Sequence, residues 1–172
     1  MKVMKVLGLL FFCALTGCAI QPVEEAQEGV PRARLRVIVD DRRGYTMGYP
    51  GSSCAGDRIP GFGSVTSGGI FTNNWDNRSL GMPDSERIGG RLFAEIHIEA
   101  NKSFVLQYRF RSSRFNLCDI AGSFIPQKNA DYEARTWVDW NLRQCIIGLS
   151  VRAGDGQWIS VPILRADQCS RR

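Results

Sequence analysis

The chain has 172 residues and a formal net charge of +5 with a single histidine, His97. That length allows one domain, and an apolar fraction of 44% with 23% charged residues marks a globular chain. One imidazole excludes metal chemistry built on several histidines, and the basicity is too mild to argue for nucleic acid.

The first seventeen residues read as an export signal. Lys2 and Lys5 precede an apolar run, Val6–Leu15. That run is too short to cross a ~30 Å hydrocarbon core, which needs about 20 helical residues, and it suits a signal h-region. It ends in Leu15-Thr16-Gly17-Cys18, which resembles the lipobox of bacterial lipoproteins at all four positions. The resemblance implies cleavage before Cys18 and acylation of that cysteine, and several acyl chains would make a durable membrane anchor. Ala19 is not the aspartate that retains such lipoproteins in the inner membrane, so the outer membrane is the expected destination.

Residues 18–31 follow, with Pro, Gly and three glutamates and no apolar period. They read as a flexible tether, leaving 32–172 as the domain. Cys54, Cys118, Cys145 and Cys169 remain after the signal and the anchor cysteine are set aside. An even set in an oxidising compartment reads as two disulfides with three possible pairings. No C-x-x-C pair suggests zinc or a redox site.

From Arg32 the chain alternates: Ala33, Leu35, Val37 and Val39 against Arg34, Arg36, Ile38 and Asp40, the mark of a half-buried strand. Residues 41–91 hold more than half of the 18 glycines. They read as a long loop region with short strands near 45–49 and 70–75. The pair 92–99 and 104–111 reads as a hairpin whose loop Asn101-Lys102-Ser103 would set Ile96 opposite Tyr108. Further strands are expected at 116–125, 132–140, 144–152 and 158–164, the last two joined by a turn at Gly154-Asp155-Gly156. Cys118 and Cys145 fall on inward faces and are expected to bridge, which pairs Cys54 with Cys169. No segment sustains a 3.6-residue period. Seven or eight strands predict an all-β antiparallel sandwich of the immunoglobulin or transthyretin kind.

The segments Tyr49-Pro50-Gly51-Ser52-Ser53-Cys54, Ser79-Leu80-Gly81-Met82-Pro83, Cys118 with Phe124-Ile125-Pro126, and Asp131-Tyr132-Glu133 resemble a group of small proteobacterial lipoproteins. The group carries no assigned activity. The resemblance implies a disulfide-bonded β domain and brings no active site.

Glu95, His97 and Glu99 share one face of a strand, but with Gln107 and Arg109 expected opposite they read as a solvated row rather than a metal site. Gly51-Ser52-Ser53-Cys54-Ala55-Gly56 is not a nucleophile elbow, and no phosphate loop, zinc-protease or calcium-loop pattern occurs. All but four of the 22 basic residues are arginine. Arg34 and Arg36, with Arg109 and Arg111, would form a basic patch if their strands were adjacent, able to fork onto carboxylate or phosphate groups. Trp137 would point outward beside it as an interface anchor, while Trp140 fits a core face.

The expectation is a lipid-anchored, non-enzymatic binding or structural module of the cell envelope, facing the periplasm, without cofactor or metal. Its candidate partners are an envelope protein or lipopolysaccharide. An immunity lipoprotein that neutralises a periplasm-delivered toxin is a second reading, and a hydrolase built on His97 a third.

Overall fold

A computed structural model describes residues 21–56, 58–68, 75–112 and 115–169, so the signal segment, Cys18 and most of the expected strand at 70–75 lie outside the described residues. Among the described residues ten strands form two five-stranded sheets packed face to face. In chain order they are β1 (Arg32–Val39), β2 (Gly44–Pro50), β3 (Gly63–Thr66), β4 (Leu92–Glu99), β5 (Phe104–Ser112), β6 (Phe115–Phe124), β7 (Asp131–Asp139), β8 (Gln144–Arg152), β9 (Trp158–Ser160) and β10 (Leu164–Arg165). The first sheet runs β4-β1-β7-β8-β9 and the second β10-β6-β5-β2-β3. All pairings are antiparallel except β1 with β7, which is parallel.

The period-2 pattern decides what lies between the sheets. Ala33, Leu35, Val37 and Val39 of β1 and Leu92, Ala94, Ile96 and Ile98 of β4 meet Phe104, Leu106, Tyr108 and Phe110 of β5, with Cys145, Ile147 and Leu149 of β8 completing the layer. Cys118 and Cys145 bridge the two sheets through this core, with Cα atoms 5.8 Å apart. Gly44 faces the Tyr108 ring, and a Cβ there would overlap it.

The hairpin expected between 92–99 and 104–111 does not form. β4 pairs with β1 and β5 pairs with β2 and β6, so residues 100–103 carry the chain from one sheet to the other. Both strands have an apolar face, and two such faces are buried equally well side by side or across a core. Local pattern cannot separate those outcomes. The crossing is held by Ala100 N–H on Pro31 O at 2.8 Å and Asn101 N–H on Pro126 O at 2.8 Å, with Asn101 at φ 64°. The expected strand 158–164 also divides: β9 ends at Ser160, and Leu164 begins β10 in the opposite sheet. The turn at Gly154-Asp155-Gly156 joins β8 to β9 as expected, closed by Gly156 N–H on Ala153 O.

The tether expectation for 18–31 fails over its described part. Val23 is buried in the core, and residues 21–24 run beside β3 with Val23 N–H on Ser64 O at 3.1 Å and Ser64 N–H on Gln21 O at 2.8 Å. Ala26 N–H then bonds His97 O at 3.0 Å on β4. One short segment thus lies along one edge strand of each sheet, β3 and β4, a protection that edge strands need. Composition missed it because one buried valine makes no period. Val23→Ser should cost about 2 kcal/mol of burial and expose residues 21–31 to protease. Urea unfolding and limited proteolysis would measure both, and resistance equal to the parent chain would show that the segment docks by its backbone alone.

Loops cover both outer faces. Residues 51–56, 58–62 and 166–169 lie over the second sheet, where Met47, Tyr49, Ala55, Val105, Ala121 and Ala166 make a small second core, and Tyr49 stacks on Phe62 at 5.9 Å. Cys54 and Cys169 fasten the two segments together, Cα to Cα 5.1 Å. Residues 76–91, including a 3-10 turn at Ser85–Ile88, strap the first sheet.

Candidate functional site

The outward side chains of β4, β1 and β7 stand in rows set by strand register. Arg36 lies opposite Glu95 and Glu133; Arg34 lies opposite His97 and Asp131; Arg32 lies opposite Glu99. The first row thus alternates acid, base and acid, and in the others no two carboxylates and no two arginines stand opposite one another, so three strands with polar outer faces can pair without direct like-charge repulsion.

The first row is sealed. Arg36 is fully buried and contacts Glu95 at 2.7 Å and Glu133 at 3.3 Å. Its remaining donors reach Met82 O at 2.9 Å, Pro83 O at 3.0 Å and Asp84 O at 3.3 Å. Glu95 in turn accepts from Ser79 Oγ and from the backbone N–H groups of Leu80 and Met82. Glu133 also takes Arg87 and Arg135 at 3.1 Å. The strap is thus fastened by polar groups that satisfy one another, the condition under which buried charge is tolerated. At its crest Asp84 sits at φ 59°. The Trp158 indole N–H at 2.8 Å, helped by Arg152, holds its carboxyl below the usual range against the opposing effect of desolvation.

The second row borders an open cleft of about 260 Å³ lined by Arg32, Arg34, His97, Asn129 and Asp131. Arg34 grips Asp131 with two bonds, at 2.7 and 2.8 Å. Glu25 accepts the His97 backbone N–H at 2.7 Å, pairs with Arg78 at 2.9 Å and lies 3.8 Å from His97 Nδ1. Burial first, then the positive charge of Arg32, Arg78 and Arg34, lowers the imidazole pKa from its ordinary value, and Glu25 opposes them.

The sequence-derived candidates fall apart in space. Arg34 and Arg36 belong to the first sheet and Arg109 and Arg111 to the second, on opposite outer faces, so the expected joint basic patch does not exist. The cause is the same sheet crossing at 100–103 that removed the hairpin. Arg36 is spent inside the network above. Arg109 pairs with Asp119 at 3.1 Å, and Arg111 is exposed. Trp137 lies half-buried across Gly148. Trp140, expected in the core, is 47% exposed at the rim, edge-on to Phe110 at 5.5 Å. Glu95, His97 and Glu99 do share an outer face, opposite Arg36, Arg34 and Arg32 rather than Gln107 and Arg109. Among the described residues no group of three or more His, Cys, Asp or Glu is placed to hold a metal ion. Ser52 donates to Cys54 O at 2.7 Å and accepts from Cys54 N–H at 3.1 Å, shaping a turn over the second sheet while His97 stands on the first.

Arg32, Asn129 and Glu25 were not singled out from sequence. The strand period already set Arg32 beside Arg34. Asn129 and Glu25 arrive from a loop and from the N-terminal segment, for which no local signal exists. No protein-family model, curated protein or solved structure matches the chain.

Proposed function

We propose that the chain is a lipoprotein anchored through Cys18 in the outer membrane, its β-sandwich facing the periplasm as a non-enzymatic binding or structural module of the envelope. The observation that carries this reading is the agreement between the Leu15-Thr16-Gly17-Cys18 sequence and the two disulfides of the domain. Such bridges belong to an oxidising compartment, which is where a lipobox would deliver them. The module reading is supported by the charged face itself. Glu95 and Glu133, the buried carboxylates there, are committed to Arg36 and to the strap, an arrangement that fixes structure and leaves no carboxyl of that pair free for proton transfer.

Metabolic labelling with palmitate and envelope fractionation test the anchor. The parent chain should carry label and sediment with the outer membrane, and Cys18→Ala should lose both. A Cys18→Ala chain that stays with the membrane would overturn the anchor.

A further inference from the structure

The cleft beside β1 holds one charge that none of the described residues cancels. Arg34 is matched by Asp131, Arg78 by Glu25, and Lys102 by Glu99 at 2.8 Å. Glu99 lies in register with Arg32, yet its carboxylate is drawn to Lys102, and Arg32 has no ion-pair or hydrogen-bond partner among the described residues. Beside Arg32 stand two further groups without such partners there: the Asn129 side-chain amide and the Nε2 of His97. The backbone of this wall is already satisfied, with Arg34 N–H on Ala130 O at 3.0 Å and Asn129 N–H on Arg32 O at 2.9 Å. Asn129 sits at φ 61°, a conformation asparagine adopts readily, so its position is set by the turn while its amide stays available.

We propose that this cleft is a binding site for a phosphate group, held by the Arg32 guanidinium, the Asn129 amide and the His97 imidazole. A guanidinium presents a planar fork that fits two oxygens of a tetrahedral oxyanion, and an amide and an imidazole add single donors. At about 260 Å³ the space suits such a head group and is smaller than the clefts that take drug-sized ligands. Arg34 is held by Asp131 and contributes field rather than contact, and the Glu25 carboxylate is turned to Arg78 and to a backbone N–H.

The phosphate has two possible sources, a free phosphorylated solute or the head group of a phospholipid. Glu25 flanks the cleft, and an extended chain of about 3.3–3.6 Å per residue keeps it within roughly 25 Å of Cys18. The lipid source therefore rests on the anchor reading above, and the site itself does not.

His97 is the only histidine, so its ring proton resonances report the site without assignment. The full-length chain is titrated with sodium sulfate, whose charge is constant over the range in which imidazole ionises, against sodium chloride at equal ionic strength. A parallel titration uses phosphatidylglycerol vesicles against phosphatidylcholine vesicles. The imidazole is faced by Arg32 and Arg34 from β1, by Arg78 from the strap and by Glu25 from the N-terminal segment. An oxyanion among them stabilises the imidazolium, so sulfate should move the resonance saturably and raise the His97 pKa by about one unit. Arg32→Gln and Asn129→Gly should each weaken the response tenfold or more. Neither side chain is bonded to a described residue, and glycine accepts the backbone angle of Asn129.

A saturable response to sulfate that these variants lose supports the site with a free oxyanion. A response to phosphatidylglycerol vesicles alone, lost in the same variants, supports it with a lipid source. No saturable response to either probe, or a response unchanged in Arg32→Gln, overturns it. A chain that is not acylated at Cys18 but answers to sulfate would retain the site while sinking the anchor.

Discussion

Arg36→Met is expected to destabilise the domain by about 3–5 kcal/mol, the range for removing one partner from a buried ion pair. The mechanism is desolvation without compensation. Glu95 and Glu133 keep their buried places while losing the cation between them, and the carbonyls of Met82, Pro83 and Asp84 lose their donor. A domain of this kind has about 5–15 kcal/mol in total, so the variant would be close to unfolding in mild urea. The strap should loosen before the sandwich does, because the network is its principal tie to the sheet. Protease cleavage within residues 79–88 at urea concentrations that leave the parent chain intact would register this. A shift in unfolding free energy below about 1 kcal/mol, the size of a surface pair, would mean that water replaces the guanidinium and that the strap is held by other contacts.

Removing the outer disulfide should cost more than removing the inner one, although the inner one lies in the core. Cys54–Cys169 spans 115 residues of chain and Cys118–Cys145 spans 27. In the chain-entropy model the longer loop is worth about 4–5 kcal/mol and the shorter about 3–4 kcal/mol. The outer bridge also fastens residues 166–169 to the glycine-rich loop, so its loss lets water reach the small core around Tyr49, Ala55 and Ala166. Cys54→Ser with Cys169→Ser, compared with Cys118→Ala and Cys145→Ala by urea midpoint, would measure the order. The reverse order would indicate that the unfolded chain keeps loop and tail together without the bond.

Alternation carried most of the sheet. The inward sets on β1, β4, β5 and β8 are those read from sequence, since a strand whose two faces differ in polarity can bury only one of them, whereas Trp140, expected in step with β7, stands at the rim. Both disulfides followed, because two cysteines on inward faces could be matched across a core. What alternation cannot say is which strand lies beside which. Exchanging a hairpin for a crossing at 100–103 leaves every apolar side chain buried and alters only its neighbours. It was enough to move Arg109 from beside Glu95 to the far face of the molecule. β3 escaped notice because Gly63–Thr66 has no apolar–polar alternation, and it is buried at all four positions.

The charged face shows the same division more sharply. From the chain alone, Arg34 and Arg36 are two equal arginines on one polar strand face, and nothing distinguishes Arg32 at the start of that strand. The fold makes them unequal: Arg36 is sealed under a strap, Arg34 is tied to Asp131, and Arg32 is left at the mouth of a cleft.

The sequence by itself determined the all-β character, the buried face of each strand, both disulfide pairings and the expectation of export through a lipobox. Each depends on residue type and local spacing, which a linear chain displays in full. Only the tertiary structure decided the sheet order, the docking of residues 21–26, the burial of Arg36 and the place of half-buried Arg32 beside the cleft. Those outcomes turn on which distant segment supplies a counter-charge or covers an edge, and contacts across 59 or 97 residues leave no mark in local pattern.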